Sequence, residues 1–425
     1  MVVLLLTRTL SQADVGIVLA ALAAAVLGEL AATQGRDAVA IQVIPQALAA
    51  DDPARANAFV RSLARQLAWG VPVAGVAAAL ATAALTGGAA SILALALTAL
   101  LVAGMTALRA LSQLVIATGS VATGTTLLFA VRPALWFGGV AALRTAGVLT
   151  VETALAAAAV AASLAAAAQA LVARRRLGFL RAPPAPADPA WGRSGRQLIL
   201  PGLMIGELPN VVTLCAGAVL AAPQIALLGV ALRVMGLVAL GTRSLIAAVG
   251  PRVSAAWGQG GARGAERVAR WVPRLAAPAT LTVAAGVWVF AEPLLGVFGE
   301  GYEASAWTLR VLVLAPLATA CAGPSLMLLT VAGHAREGGR AAWFAAPALA
   351  AGATVGALFG TLGAAVGVLG AVVFWETLLV RRLSRAAGVS IWLPLVRRDG
   401  RASRAAPPPP RRPRTRTGSP PAGSA

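Results

Sequence analysis

The sequence predicts an all-α integral membrane protein that crosses the bilayer about twelve times. Hydrophobic residues make up 59% of its 425 residues, only 12% are charged, and the mean hydropathy is +0.81. About a quarter of the residues of a soluble globular domain are charged, so most of this chain's surface should face something other than water. A bundle of helices with roughly 20 residues per span, joined by short loops, accounts for the length.

Apolar runs long enough to cross the hydrocarbon core define the predicted spans, six in each half of the chain. The first run, near 1–10, is too short to cross at about 1.5 Å per residue, so we interpret it as a clipped helix. The remaining runs lie near 15–34, 67–87, 89–108, 121–143, 149–172, 198–220, 224–250, 275–295, 307–332, 341–360 and 362–380.

These runs predict four regions along the chain. An N-terminal six-helix lobe at 1–172 precedes a cytoplasmic linker at 173–197, and a second six-helix lobe follows at 198–396. The segment 397–425 is basic and Pro-rich, a composition that predicts disorder. An even number of spans per lobe gives both lobes the same orientation, so they would be parallel and pseudo-symmetric about an axis along the membrane normal.

The charge pattern supports this topology. The formal net charge is +20, and all basic residues apart from His334 are arginines. Arginines cluster in alternate predicted connections, around Arg55, Arg109, Arg175, Arg267 and Arg382, whereas the intervening connections are nearly uncharged or acidic. The positive-inside rule therefore predicts that the linker and the C-terminus are cytoplasmic. Because the arginines lie between apolar runs and not in one patch, nucleic acid is not an expected partner.

Several chemistries are excluded by the residues present. Without lysine there is no Walker-type phosphate-binding lysine and no Schiff base. His334 falls in a short predicted connection, where a solvated loop residue is the simpler interpretation than a catalytic base. Asp51 and Asp52 precede Pro53 and are typical of a helix N-terminus rather than of a metal site. We therefore expect no enzyme activity, no catalytic residues, no metal and no cofactor.

Charged residues within the apolar runs are the strongest functional signal. An ionised side chain at mid-helix costs ~2.5–3.5 kcal/mol on insertion scales, so it should face a cavity or a partner. An arginine-lined cavity suits an anionic group such as phosphate or pyrophosphate, which a guanidinium grips with two parallel hydrogen bonds. A cation exporter would favour a carboxylate instead, and pairing or snorkelling remains the alternative for each residue. The cavity candidates are Arg132, Arg233, Arg243 and Arg36, and the candidate ion-coupling residue is Glu207.

Several stretches resemble one family of transporters. The chain is similar, over roughly residues 5 to 385, to the polysaccharide and teichoic-acid exporters of the MATE-related multidrug/oligosaccharidyl-lipid/polysaccharide (MOP) flippase superfamily. The stretches that carry the resemblance are Thr7–Gly16, Gly35–Arg36, Leu228–Arg233, Val249–Arg252 and Leu295–Ala304.

This resemblance implies two six-helix lobes that alternate access to a central cavity. It implies movement of an undecaprenyl-pyrophosphate-linked glycan, or a related cell-envelope or lipopolysaccharide precursor, from the inner to the outer leaflet of a bacterial plasma membrane. The implied partners are this lipid-linked anionic glycan, membrane lipid and other proteins of envelope-polysaccharide assembly, with Arg233 at the family's basic position in the eighth helix. Where the family often has an acidic residue early in its seventh helix, this chain has Val212, with Asn210 nearby.

Two other functions stay open at the level of sequence. A cation-coupled drug or metabolite antiporter of the same superfamily would use a carboxylate such as Glu207 for coupling. A transport-inactive membrane scaffold is conceivable because the first helix is clipped.

Overall fold

The computed structural model describes residues 2–389, so the predicted tail at 397–425 lies outside the described part of the chain. Every regular element among these residues is helical. The first half contains α1 (Val2–Thr7), α2 (Gln12–Thr33), α3 (Arg36–Ala49), α4 (Pro53–Leu85), α5 (Ile92–Ala117), α6 (Val121–Thr126), α7 (Arg132–Thr145) and α8 (Val151–Arg176). The second half contains α9 (Ala190–Ile205), α10 (Leu208–Gly217), α11 (Ala222–Ala269), α12 (Trp271–Val289), α13 (Ala291–Gly296), α14 (Ala306–Leu312), α15 (Leu314–Ala322), α16 (Ser325–Val331), α17 (Ala335–Ala357) and α18 (Gly360–Ala387).

By length and composition, eight helical segments within residues 2–389 could cross a membrane, or nine if α9 and α10, bent by 81°, form one span. Three features account for the difference between nine spans and the twelve predicted from the sequence. Helix α1 has only six residues. The continuous segment 222–289 contains two of the predicted runs but counts once. Helix α17 has 23 residues, but its first turns carry Arg336, Glu337 and Arg340.

Side-chain caps fix where several helices begin. Asp52 accepts a hydrogen bond from the Arg55 amide at 2.9 Å and Pro53 is the first helical residue of α4, which confirms the predicted helix N-terminus there. Ser11 caps α2 in the same way, accepting from the Asp14 amide at 3.2 Å. Local sequence therefore starts these helices before any tertiary packing is considered.

Two predicted connections differ in the structure. Helix α5 continues to Ala117 instead of ending near 108, so Arg109 lies inside a helix and not in a loop. The physical reason is that buried carboxylates of α2 and α3 compensate its charge, as described below. Helix α8 runs to Arg176 and α9 begins at Ala190, so the predicted linker at 173–197 is partly helical. Arginines in the last turn of α8 favour this extension by interacting with the helix dipole.

The two halves meet along α2 and α11. A Cβ atom on Gly16 would collide with the backbone carbonyl of Ala222, so only glycine permits this approach. The α1–α2 turn meets the turn after α13: the Arg8 Nε donates to the Val297 carbonyl at 2.8 Å, and Gln12 donates to the Glu300 carbonyl at 3.3 Å. The two halves are therefore in contact on the side that the charge pattern predicts to be external.

Candidate substrate cavity

A cavity of about 150 Å³ lies between the two halves of the chain. Its polar lining consists of Arg132 from α7, Arg233 from α11 and Asn210 from α10. The rest of the wall is apolar or aromatic and comes mostly from the first half: Leu22, Val26, Leu101, Met105, Trp136 and Ala158. The structure thus brings together two of the four cavity arginines predicted from sequence.

A local irregularity of the helix places Arg132. A π-helical segment, Leu127–Val131, precedes α7, and the Arg132 amide bonds to the carbonyl of Leu127, five residues back. Pro133 follows and has no N–H of its own to donate. Single π-helical turns of this kind are frequent at functional sites because they redirect side chains. One turn further along, Trp136 shares the cavity and donates its indole N–H to the Ala154 carbonyl at 3.3 Å, which fixes its ring.

Arg233 projects from the first half of α11, about three turns from its start. Its Nη1 donates to the Gly229 carbonyl one turn earlier at 3.0 Å. The ion pairs found among the described residues include neither Arg233 nor Arg132. Two guanidinium groups with unused donors therefore face an otherwise apolar cavity, which is the arrangement expected for binding an anion.

A buried charge cluster lies beside this cavity, with Arg109 at its centre. The Arg109 Nε is 2.8 Å from the Asp37 Oδ2, and its Nη1 is 3.2 Å from the Glu29 Oε1 and 3.9 Å from the Glu207 Oε1. The Asp37 and Glu29 side chains are only 1% and 5% exposed. The other Glu207 oxygen accepts from the Asn210 side chain at 2.8 Å, which joins the cluster to the cavity wall.

Glu207 lies at the bend between α9 and α10, as the N-cap residue of α10, and Pro209 lies in the first turn of that helix. Its contact with Arg109 is an ion pair between the two halves of the chain. The pair is longer than the bonds that Arg109 makes to Asp37 and Glu29. Arg109 therefore stays bound to its own half if this contact opens.

The other two predicted cavity arginines lie elsewhere. Arg243 lines a second, larger cavity of about 470 Å³ in the second half, and it interacts electrostatically with Glu207. Arg36 is not among the residues that line either of these cavities. It is the first residue of α3, its Nη1 donates to the Ser62 Oγ at 3.0 Å, and burial followed by the nearby Arg196 lowers its pKa. The chain turns at Gly35, so Arg36 points against α4 and not towards the interior.

Several residues of this site were not predicted as functional. Asp37 and Arg109 fall in predicted connections, and Glu29 falls within the predicted span at 15–34. The sequence did hold a signal, because Glu29 and Arg109 have opposite charges within or beside apolar runs. What sequence could not show is that α2, α3 and α5 bring them to one point.

Comparison with solved structures shows that the chain shares its fold with known membrane transporters. No family model matches the chain, and no curated relative does. Among solved structures, the chain is similar to an inward-facing multidrug-resistance MATE-family transporter of the MOP superfamily, with a TM-score of 0.73, 16% identity and coverage of 92% of this chain and 96% of that one. It is also similar to the lipid II flippase MurJ in an inward closed conformation, with a TM-score of 0.69, 10% identity and coverage of 90% and 84%.

An outward-facing MATE-family transporter gives a TM-score of 0.58 at 13% identity, over 90% of this chain and 96% of that one. These likenesses confirm the predicted fold class: an all-α polytopic membrane protein with two parallel, pseudo-symmetric lobes. The chain has the fold of MOP superfamily transporters, and its TM-score is higher with the inward-facing example than with the outward-facing one.

Proposed function

We propose that this protein is a flippase that moves an anionic, lipid-linked glycan precursor from the inner to the outer leaflet of a bacterial plasma membrane. The observation that carries the proposal is the pair Arg132 and Arg233, one from each half of the chain, facing a single cavity. Because each half supplies one guanidinium, an anion bound there would contact both halves. The cavity would therefore bind a phosphate or pyrophosphate head as the two halves alternate access.

The size of the cavity supports a head group as the bound part. At about 150 Å³ it admits a small anion but not a whole oligosaccharide. The glycan itself would need the cavity to widen towards the cytoplasm. The contacts of Arg8 and Gln12 with the turn at 297–300 join the two halves on the predicted external side, which is consistent with a state open to the cytoplasm.

The topology of the proposal follows the charge pattern. The basic connections, including the segment after α8 and the C-terminus, would be cytoplasmic. The same proposal includes the predicted division into lobes at 1–172 and 198–396, with the linker at 173–197 between them and the segment 397–425 after them. Membrane lipid and the other proteins of envelope-polysaccharide assembly would be its partners.

Complementation of surface-polysaccharide export tests the proposal. A strain lacking its own exporter would express the parent, Arg132→Ala, Arg233→Ala or, as a matched control, Arg144→Ala, which changes an exposed arginine at the end of the same helix α7. At equal membrane abundance we expect export from the parent and the control and at least tenfold less from each cavity variant. Full export by the Arg132→Ala/Arg233→Ala double variant would refute the arginine cavity as the substrate site.

A second candidate function is favoured by one observation, the ion pair of Glu207 with Arg109 between the two halves. In a cation-coupled antiporter, protonation of Glu207 would break this pair and drive the conformational change. Glu207→Gln would then abolish proton-coupled efflux of a drug or metabolite in proteoliposomes. If the parent shows no such efflux, the antiporter function is excluded. A transport-inactive scaffold predicts neither export nor efflux from a correctly inserted parent.

A further inference from the structure

We infer that the larger cavity, in the second half of the chain, is a binding site for a hydrocarbon chain. The inference rests on the proposed function only for identifying that chain with the substrate's isoprenoid; the cavity's affinity for a chain stands on its own lining. Elements α9, α10, α11, α15, α16 and α18 enclose about 470 Å³. A cavity of ~150 Å³ lined by apolar side chains takes up benzene, so this one has room for a chain of ten carbons.

The lining is apolar and deformable. Three of the protein's five methionines, Met204, Met235 and Met327, contribute to it, together with alanines, leucines and Trp375. Methionine is unbranched and polarisable, so it adapts to irregular apolar ligands. A hydrocarbon chain bound there would make dispersion contacts with these side chains.

Two charged residues, Arg243 and Glu376, also line the cavity. Arg243 is exposed and interacts electrostatically with Glu207, whereas Glu376 is only 7% exposed. The other lining residues are uncharged and most of them are apolar. Apolar contact is therefore the main interaction that the cavity offers.

The cavity is also next to the proposed anion site. On α10, Leu208 lines the larger cavity and Asn210 the smaller one; on α11, Met235 lines the larger and Arg233 the smaller. The two cavities therefore share the walls made by these two helices. Ile205, which lines the larger cavity at the α9–α10 bend beside the shared wall, is 45% exposed.

Binding of water-soluble ligands to the purified full-length protein tests this inference. Calorimetry in a sterol-based detergent would compare inorganic pyrophosphate, geranyl pyrophosphate, geraniol and the unbranched ten-carbon alcohol decanol. The variants are Ala239→Trp and Ala315→Trp, each of which fills the cavity from a different helix, and Arg233→Ala, which removes the anion site. The control is Leu281→Trp, which adds the same side chain on an exposed face of α12.

We expect geranyl pyrophosphate to bind the parent at least roughly a hundredfold more tightly than pyrophosphate, since each methylene removed from water contributes about fourfold and about three to four buried methylenes suffice. Both cavity-filling variants should lose this gain in affinity for geranyl pyrophosphate while keeping their affinity for pyrophosphate. The control Leu281→Trp should keep the gain. Arg233→Ala should weaken pyrophosphate but leave geraniol binding unchanged. Equal binding of decanol would indicate a site for any hydrocarbon chain, bilayer lipid included; a preference for geraniol would indicate the isoprenoid of the substrate.

Two results would overturn the inference: no binding of geraniol to the parent, or a full chain-length gain in both cavity-filling variants. Failure of the proposed function would look different. In that case pyrophosphate would not bind the parent, whereas geraniol would bind the parent but not Ala239→Trp. This outcome would support the hydrocarbon-binding site without the anion site.

Discussion

Replacing Arg109 by leucine should destabilise the protein strongly, because it leaves two carboxylates buried without a counter-charge. In the structure Arg109 bonds to Asp37 at 2.8 Å and to Glu29 at 3.2 Å. Both acids belong to neighbouring helices of the first half, so the guanidinium ties α2, α3 and α5 together. A leucine keeps the apolar stem of the side chain but removes every donor.

The magnitude follows from the burial of the partners. Removing one member of a buried ion pair typically costs ~3–5 kcal/mol, because the remaining charge stays desolvated. Arg109 is itself 25% exposed, which relieves part of this cost. We therefore expect a loss of about 3 kcal/mol in the free energy of unfolding at neutral pH. Converting Asp37 to Asn and Glu29 to Gln as well should recover all but about 1 kcal/mol, since no uncompensated charge remains.

Denaturant titration of the purified protein in detergent, followed by near-UV circular dichroism, measures these differences. The control is Arg340→Ala, which breaks a surface ion pair whose arginine is 69% exposed and should cost less than about 1 kcal/mol. Lower pH should shrink the Arg109→Leu deficit, because the orphaned acids become neutral. If Arg109→Leu lowers the free energy of unfolding no more than Arg340→Ala does, Arg109 behaves as the loop residue that its position in the sequence predicts. The assignment of Arg109 to a buried charge cluster would then be wrong.

Three further predictions concern packing, capping and a surface charge. Gly367→Ala should destabilise the protein by ~1–3 kcal/mol, because the added Cβ would overlap the backbone of α17, against which α18 packs. The control is Gly370→Ala on the same helix, whose Cβ would meet open space. It should be neutral or stabilising in the same titration. Asp52→Ala removes the cap of α4 and should cost ~0.5–2 kcal/mol, measured in the same way. Hydrogen bonding from Arg382 lowers the pKa of Glu337, so the ionised carboxylate stabilises the folded protein. Glu337→Gln should therefore lower the free energy of unfolding at neutral pH, and this difference should vanish as the pH falls below the carboxyl's ordinary pKa of 4.5. A difference that persists at pH 3 would contradict this.

The two arginines of the anion site could be singled out from the sequence, whereas the buried charge cluster around Arg109 could not. Arg132 and Arg233 stood out because each interrupts a long apolar run, and desolvation makes such a position costly in any fold. Arg243 also interrupts an apolar run and Arg36 lies just beyond the end of one, yet Arg243 faces a different cavity and Arg36 packs at the start of α3. The cost of burying a charge shows that a partner or a cavity must exist, but not which one.

The sequence by itself determined that this is a polytopic helical membrane protein, and it set the caps of helices such as α4. Hydropathy and capping are properties of residues within one turn or one span of each other, so they can be read without a fold. Only the tertiary structure decided that Arg109 belongs to a buried cluster with Glu29 and Asp37, and that Arg132 and Arg233 share one cavity. These contacts join residues far apart in the chain, and their geometry depends on how helices pack, bend at Glu207 and widen into the π-helical segment before Arg132.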